Sequence, residues 1–298
     1  MNLSFFNCMR FTCLVSLVVV GLSVYKINNE GLKYGIEFMG GTEVVLDFNE
    51  DIKIDTIRNL FAESGFSNVS IQNYGNEQDN EFLIRLPIDK ESQDADLGAY
   101  RSTLKNLLEN NFSSDEYSLK RIDFIGPKVG KELIQNGIYS IIFGSVAILF
   151  YVFFRFSFSF ALAAVSALFH DFIITTMLVT LLDIEITLST IAALLTVIGY
   201  SVNDTIVIFD RVRENMKVLK SSLNEVIDTS ILQTLSRTIL TVLTVLIVLV
   251  PLYFFGGVEI EDFALVMIMG VIIVTYSSIL FAPYVMYLLN KGNINKNV

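Results

Sequence analysis

Six long apolar runs constrain the fold of this chain more than any other feature of its sequence. A helix needs about 20 mostly apolar residues to cross the hydrocarbon core of a bilayer. Of the 298 residues, 53% are hydrophobic and 17% are charged, a balance that water-soluble domains seldom show. The sequence therefore predicts a polytopic α-helical membrane protein with six transmembrane helices. The runs cover residues 11–25, 138–154, 158–182, 188–209, 238–255 and 263–289.

The first run is the shortest and allows a second interpretation. It follows Arg10 and has Gly21 and Ser23 near its end, which are features of a cleavable secretory signal peptide. We favour a retained membrane helix. The two cysteines of the chain, Cys8 and Cys13, lie in or beside this run, so no disulfide framework is available to a domain outside the membrane.

The basic residues of the short loops predict the orientation of the chain. Lys and Arg are enriched in cytoplasmic loops, whereas the turns at residues 183–185 and 259–262 are acidic and contain no basic residue. Both termini are therefore expected in the cytoplasm. The predicted division is residues 1–25 for the first transmembrane helix, 26–132 for a periplasmic domain, 133–290 for a five-helix bundle and 291–298 for a cytoplasmic tail. The basic residues that set this orientation are Arg155, Arg211, Arg213, Lys217, Lys220, Lys291 and Lys296.

Residues 26–132, which we call the outer domain, show strand and helix patterns in turn. Residues 42–48, 67–73, 81–86 and 117–125 alternate like strands, and residues 51–64 and 97–108 place apolar side chains at helical spacing. This βαββαβ order predicts an α+β, ferredoxin-like sandwich. The domain holds 12 Lys and Arg against 20 Asp and Glu, and this acidic balance argues against a nucleic-acid partner.

Glycines mark both connections between the outer domain and the membrane helices. Gly35, Gly40 and Gly41 precede the predicted sheet, and Gly126 and Gly130 follow it. Glycine permits backbone angles that other residues avoid, so these positions are predicted hinges. The outer domain contains no histidine or cysteine and its acidic residues are scattered. We therefore predict no catalytic residue, no metal site and no cofactor.

An aspartate in the fourth run is the strongest candidate for a functional residue. Asp204 lies about five residues, or roughly 8 Å, from the cytoplasmic end of this run, and an ionisable group in hydrocarbon costs roughly 3 kcal/mol or more. Arg237 enters the next helix from the same side and is expected to keep Asp204 ionised. Ser201, Asn203 and Thr205 would surround the carboxylate with hydrogen-bonding groups. The pair is either a static ion pair that fixes helix register or a proton relay.

A second polar pair, His170 and Asp171, falls near the middle of the third run. Because histidine titrates near neutral pH, the two residues are accessory candidates for a proton route; a structural hydrogen-bonded pair is the alternative. Two enzyme interpretations use the same residues, a serine protease with Ser201 and His170 or an aspartyl protease with Asp171 and Asp204. Both fit poorly, because Val202 stands where a small residue is needed and the aspartates are predicted at different depths. No enzymatic activity is expected.

Four motifs resemble the SecF family, the six-span membrane subunits of the bacterial Sec protein-export machinery. They are YGIEFMGGTEV (residues 34–44), ALFHDFIIT (167–175), IAALLTVIGYSVNDTIVIFDRVREN (191–215) and QTLSRTILT (233–241). The resemblance covers essentially the whole chain, and the third motif is long and specific. It implies an inner-membrane half-transporter of the resistance-nodulation-division (RND) type, in which Asp204 and Arg237 match the residues assigned to proton transport.

The resemblance also implies partners. Members of this family pair with the similar subunit SecD to form one proton-driven unit. That unit associates with the SecYEG channel, often together with YajC and a membrane insertase, and helps draw unfolded preproteins through the lipid membrane using the proton-motive force. The partner's own acidic residues would complete the proton path, so this chain alone is not expected to transport anything.

Two other functions stay open from the sequence. An RND half-transporter could move a small molecule or a lipid, although such transporters ordinarily have twice as many spans in one chain. A non-transporting scaffold could hold the export channel together, and the charge of Asp204 would then be dispensable.

Overall fold

The computed structural model of the chain describes residues 5–50, 52–64, 69–74, 80–87, 97–113 and 115–294. Six helical segments in these ranges are long and apolar enough to cross a membrane, which confirms the predicted number of spans. A π-helical turn (Ser277–Phe281) joins the last two helices into the sixth span. The helices are α1 (Phe5–Glu30), α2 (Ile36–Met39), α3 (Ile54–Glu63), α4 (Leu97–Asn111), α5 (Pro127–Arg155), α6 (Phe158–Leu181), α7 (Leu188–Val218), α8 (Leu223–Phe255), α9 (Val258–Tyr276) and α10 (Ala282–Ile294).

The spanning helices extend beyond the predicted apolar runs, because polar residues continue the helices past the hydrocarbon. Helix α1 ends at Glu30, and α7 continues to Val218. Helix α8 begins at Leu223, where Ser222 and Glu225 form a capping box that satisfies the free backbone N–H groups of the first turn. The α7–α8 hairpin is therefore longer than the apolar pattern indicates. The domain boundaries that we drew from that pattern stay predictions.

The outer domain contains one four-stranded sheet, formed by β1 (Gly41–Phe48), β2 (Ser70–Asn73), β3 (Glu81–Pro87) and β4 (Tyr117–Ile125). The strand order is β2-β3-β1-β4, and all neighbours are antiparallel. Helix α3 follows β1 and α4 follows β3, so the chain has the predicted βαββαβ order. The ferredoxin-like arrangement of the two helices stays a prediction.

The two faces of this sheet have different roles. Successive residues of a strand point to opposite faces, and one face of β1 packs Leu46 into a core with Phe61 of α3 and Leu108 of α4. The other face carries Glu43 of β1 opposite Arg85 of β3, each 8% exposed. This charged pair faces the membrane bundle, as its contacts below show.

The short helix α2 lies between α1 and β1 and was not predicted. Its four residues are too few for a helical period to show in the sequence. Ile36 and Phe38 of this helix are buried, and α5 approaches it closely: a Cβ added to Gly130 would lie 2.5 Å from the carbonyl oxygen of Phe38. Glycine at position 130 therefore allows the start of the outer domain to pack directly on the membrane bundle.

Helices α6 and α7 form the centre of the bundle. Within the chain, 56% of the apolar window of α6 and 50% of that of α7 are buried, against 11% for α5 and α8. Helix α9 packs very closely on α7, because a Cβ added to Gly270 would lie 2.2 Å from a methyl carbon of Val197. Membrane helices associate through such small-residue contacts, since lipid provides no hydrophobic driving force between them. The candidate acidic residues of the membrane domain lie on these two central helices.

Candidate functional site

Asp204 lies on α7 and is 4% exposed. The neighbouring Asn203 donates a hydrogen bond to one carboxylate oxygen at 3.3 Å. The hydroxyl of Thr205 is buried and has no hydrogen-bond partner among the residues that the structure describes. A buried carboxylate normally needs several donors or a cation. The surroundings of Asp204 therefore provide little stabilisation for a fixed negative charge.

Arg237 lies on α8, the helix that follows α7, and its side chain is exposed. Within the described ranges no direct ion pair joins it to Asp204, although its charge still attracts the carboxylate. The hairpin register explains the gap: Asn215 donates hydrogen bonds to Ser230 and Gln233 at 2.8 and 2.9 Å. This register places Arg237 about one helical turn, or about 6 Å, nearer the α7–α8 turn than Asp204. The two predicted residues thus lie on neighbouring helices without touching.

A second carboxylate, Asp171 on α6, is 1% exposed and lies in an enclosed polar cluster. It accepts hydrogen bonds from the hydroxyls of Ser201 at 2.6 Å and Ser277 at 2.7 Å. Its other oxygen lies 2.8 Å from the ring Nδ1 of His170. These contacts come from α6, α7 and the π-helical turn. One carboxylate therefore connects three segments of the membrane bundle.

Ser201 has a different partner from the one that the sequence indicated. We expected its hydroxyl beside Asp204, but the structure shows it donating to Asp171. Ser201 precedes Asp204 by three residues on α7, so the two side chains lie on the same helix face, about 4.5 Å apart along the axis. Ser201 consequently connects the region of Asp204 to the cluster around Asp171.

The π-helical turn in the sixth span positions further polar residues of this cluster. A π turn contains one extra residue, changes the direction of nearby side chains and is frequent at functional sites. It directs Ser277 towards Asp171, and Tyr276 lies beside His170 with ring centroids 5.8 Å apart. Tyr276 also forms a hydrogen bond with Ser16 of α1. The aromatic ring of Phe281 stacks on His170 at 4.4 Å.

The sequence analysis missed Ser16, Tyr276 and Ser277. A signal was present, because residues 275–278 read Thr-Tyr-Ser-Ser inside an otherwise apolar span. Small hydroxyl residues are common in membrane helices, where they assist packing. Only the three-dimensional contact with Asp171 distinguishes Ser277 from such a packing residue.

The five predicted hinge glycines have different local environments. Gly40 has a φ of +79°, in the left-handed region that favours glycine. Gly35 and Gly130 lie at close contacts. A Cβ added to Gly35 would lie 3.0 Å from Thr187, and one added to Gly130 would lie 2.5 Å from the backbone of Phe38. Gly41 begins β1, and Gly126 precedes α5 with an ordinary φ of −67°. Their role as hinges stays a prediction.

The linker before the sheet (residues 33–37) pairs with the turn between α6 and α7 (residues 183–188). We call this contact region the junction. Gly35 donates its N–H to the carbonyl of Ile186 at 2.9 Å, and Ile186 donates its N–H to the carbonyl of Lys33 at 2.7 Å. Glu37 lies near the backbone of Leu188, at the α7 terminus where the helix dipole favours an anion. Burial nevertheless raises the pKa of Glu37 above its ordinary value.

Arg85 adds an ionic contact to the junction. Its side chain is 10% exposed, and its guanidinium donates to Glu43 at 2.9 Å and to Glu185, in the α6–α7 turn, at 3.4 Å. Arg121 of β4 approaches the other oxygen of Glu43 at 2.9 Å. The outer domain is therefore fixed to the start of α7 by backbone hydrogen bonds and by a largely buried guanidinium.

The buried ionisable groups of the membrane domain do not form a metal site or a serine–histidine pair among the described residues. Among the described residues, no group of three or more His, Cys, Asp or Glu side chains could hold a metal ion. The hydroxyl of Ser201 donates to Asp171 and not to His170, so the serine–histidine pair of a protease is not formed. Within the described membrane helices, the nearly fully buried carboxylates are Asp204 and Asp171, and His170 lies beside Asp171.

Comparison with known proteins gives the same family over most of the chain. Residues 103–292 match the family described as "Protein export membrane protein SecD/SecF, C-terminal". The protein translocase subunit SecF of Desulfurispirillum indicum is 39% identical over 285 residues, which are 93% of this chain and 88% of that protein. The SecF subunit of Helicobacter pylori strain J99 is 40% identical over 289 residues, 96% of this chain and 87% of that protein.

Two solved structures resemble this fold. SecDF of Thermus thermophilus, a translocon-associated membrane protein, matches with a TM-score of 0.82 at 34% identity and covers 98% of this chain. SecDF in a super-membrane-facing form matches with a TM-score of 0.72 at 32% identity and covers the whole chain. This chain spans 39% and 40% of the length of those two SecDF chains. From the family match and the relatives of similar length, the chain belongs to the SecD/SecF family of protein export membrane proteins.

Proposed function

We propose that this chain is a SecF-type subunit of the Sec export machinery. With a SecD-type partner it uses the proton-motive force to promote the translocation of unfolded preproteins across the bacterial inner membrane. Asp204 carries the proton, and Arg237 switches the charge of Asp204 by moving towards it and away from it. The observation that carries the proposal is the burial of Asp204, 4% exposed in a membrane helix, in a family of export proteins.

The environment of Asp204 favours a change of protonation over a fixed charge. Its carboxylate accepts a hydrogen bond of 3.3 Å from Asn203, and an isolated buried carboxylate tends to become neutral. A guanidinium at contact distance favours the ionised form. Because Arg237 lies about one helical turn away along the hairpin, a shift of α8 along α7 or a swing of the long side chain would change the charge of Asp204.

The exposed position of Arg237 supports a partner subunit. A cationic side chain on a lipid-facing surface is costly, and only 11% of the apolar window of α8 is buried within this chain. A second membrane subunit that covers α8 would remove this cost. The SecDF chains, of which this chain matches about two fifths, support a SecD-type partner. Association with SecYEG, YajC and an insertase rests on the family resemblance alone.

The proposed orientation places both termini in the cytoplasm and the outer domain in the periplasm. It rests on the basic residues of the α7–α8 turn and on the acidic α6–α7 turn, which contains Asp183 and Glu185. Cysteine accessibility tests this orientation. A single cysteine in place of Asn73 on β2 should react with a membrane-impermeant reagent added outside, and one in place of Lys220 should not.

The decisive experiment is pulse-chase export of a secreted reporter in cells that carry Asp204→Asn. Asparagine keeps the shape of the side chain and removes its titratable charge. The matched control is Asp210→Asn on the same helix, because Asp210 pairs with Arg155 and Arg213 at 2.9 Å and is partly exposed. We expect slower export with Asp204→Asn alone, at unchanged membrane level and partner binding.

Three outcomes would contradict the proposal. Wild-type export with Asp204→Asn would favour the scaffold alternative, in which the charge is dispensable. Equal defects in Asp204→Asn and Asp210→Asn would indicate general damage to α7. Purification with a homologous half-transporter but without Sec components would favour an RND transporter for another substrate.

A further inference from the structure

We propose that His170 and Asp171 form a second proton-binding site in the membrane domain, connected to Asp204 through Ser201. The binding of a proton is a property of this cluster itself. Its place in a transport cycle rests on the proposed function. The site has its own ligand, one proton shared by an imidazole and a carboxylate, and it is enclosed by side chains of α6, α7 and the sixth span.

The burial of the cluster favours the uptake of a proton. Asp171 and His170 are 1% and 3% exposed, and in the described part of the chain neither forms an ion pair with Lys or Arg. An isolated buried carboxylate is strongly disfavoured unless it is paired or neutralised. One added proton, held as an imidazolium or as a carboxylic acid, removes this cost. The two groups are close enough to titrate as one coupled unit.

The two serine hydroxyls allow both protonation states. Ser201 and Ser277 lie 2.6 and 2.7 Å from the same carboxylate oxygen of Asp171. A hydroxyl group donates to a carboxylate, and after rotation it accepts a hydrogen bond from a carboxylic acid. The cluster can therefore gain or lose a proton without losing its contacts, which a purely structural ion pair does not require.

The second ring nitrogen of His170 is the open end of the site. Its Nε2 is buried, and it has no hydrogen-bond partner among the described residues, whereas buried polar atoms are normally paired. The ring itself is held in place by stacking on Phe281 and by the nearby ring of Tyr276. A histidine that only stabilised the bundle would be expected to use both nitrogens. An unpaired nitrogen on a fixed ring is available to take up a proton.

Among the described residues, two other titratable groups lie near the cluster. Tyr276 of α9 faces His170 and is hydrogen-bonded to Ser16 of α1, and Cys13 of α1 lies close to Tyr276. Asp204 lies on the same face of α7 as Ser201, about one helical turn away. A proton on the His170–Asp171 pair and a charge on Asp204 should therefore influence each other.

The sequence offers a direct measurement, because His170 is the only histidine of the 298 residues. The full chain, purified through a histidine-free tag and placed in lipid nanodiscs, is labelled with ¹⁵N in the histidine ring. Both ring nitrogens are then followed by NMR between about pH 5 and pH 8, the range in which histidine ordinarily titrates. We expect one transition between two protonation states. A single, unchanging protonation state over this range in the wild-type protein would overturn the proposal.

Three variants separate the parts of the argument. Asp171→Asn should move the transition midpoint by at least about one pH unit, because strongly coupled groups shift each other by that amount. Asp204→Asn should move it by less, and an unchanged midpoint would refute the connection through Ser201. Asp210 lies about 14 Å from Ser201 along α7 and pairs with Arg155 and Arg213. Asp210→Asn should therefore leave the midpoint unchanged. None of these measurements depends on export, so they can succeed or fail independently of the proposed function.

Discussion

Replacing Gly270 by alanine tests whether the close packing of α9 holds the helix of Asp204 in place. The added Cβ would lie 2.2 and 2.8 Å from the two methyl carbons of Val197 on α7. Carbon atoms in contact normally lie about 3.5–4.0 Å apart, so the helices must separate by roughly 1 Å or the valine must change rotamer. Overpacking of this kind costs about 1–3 kcal/mol. We expect the free energy of unfolding to fall by about 2 kcal/mol.

The chain contains a matched control for this substitution. Gly199 lies on α7, where an added Cβ meets no atom within 4 Å. Alanine is favoured over glycine in a helix by roughly 1 kcal/mol, so Gly199→Ala should be neutral or slightly stabilising. Val197→Ala removes both methyl groups with which the Cβ of Gly270→Ala would clash. The double variant should therefore lose less stability than the sum of the two single losses.

Unfolding in bicelles, measured by steric trapping, gives the free energies of the six proteins needed: the wild type, the three single variants and the two double variants with Val197→Ala. We expect Gly270→Ala and Val197→Ala together to cost less than the sum of their single effects, and Gly199→Ala and Val197→Ala to be additive. Equal stability of Gly270→Ala and Gly199→Ala, or additive effects of Gly270→Ala and Val197→Ala, would refute the role of this close contact.

Three further predictions concern the junction. Arg85→Met should lower the free energy of unfolding by about 2–4 kcal/mol, because it leaves the buried Glu43 with one cation instead of two. Chemical denaturation measures this free energy, and a loss below about 0.5 kcal/mol would contradict the prediction. Burial raises the pKa of Glu37 above 4.5, so the folded state binds this proton more tightly and stability should fall as pH rises from 4.5 through the raised pKa. The unfolding temperature of the wild type should therefore fall over this pH range more than that of Glu37→Gln. Parallel curves of unfolding temperature against pH for the two proteins would contradict this prediction. Gly130→Ala places a Cβ 2.5 Å from the Phe38 carbonyl and should speed amide exchange of residues 36–41, whereas unchanged exchange would show that α2 does not depend on this contact.

The sequence was sufficient for the parts of the fold that depend on long apolar or alternating patterns. The length of the apolar runs predicted six spans, and the spacing of apolar residues predicted the βαββαβ order, because both patterns extend over many residues. The helix ends were harder to predict. Polar residues continue α7 to Val218 and start α8 at Leu223, and hydropathy does not distinguish a helix that leaves the membrane from one that ends there.

The candidate site was only partly predictable, because its contacts depend on register. The sequence identified Asp204, Arg237 and the His170–Asp171 pair as charged or polar residues in apolar runs. It could not indicate that the α7–α8 hairpin offsets Arg237 from Asp204, since that offset depends on contacts such as Asn215 with Ser230. It also could not show that a π turn directs a serine towards Asp171, because the extra residue leaves no periodic signal.

The junction connects the outer domain to the helix that carries Asp204, so a movement of the domain would be passed to α7. Ile186, just before α7, is hydrogen-bonded to the linker at Lys33 and Gly35, and Asn215 is held by α8 through Ser230. If Asn215 is the fulcrum, Asp204 lies at 11 of the 27 residues of the lever arm, which is about 40 Å long. A sideways displacement of about 3 Å at the outer end would thus move Asp204 by about 1.2 Å. A misplacement of about 1 Å can change reactivity 100-fold, so under the proposed function a small swing of the outer domain would be enough to change a proton-transfer contact of Asp204.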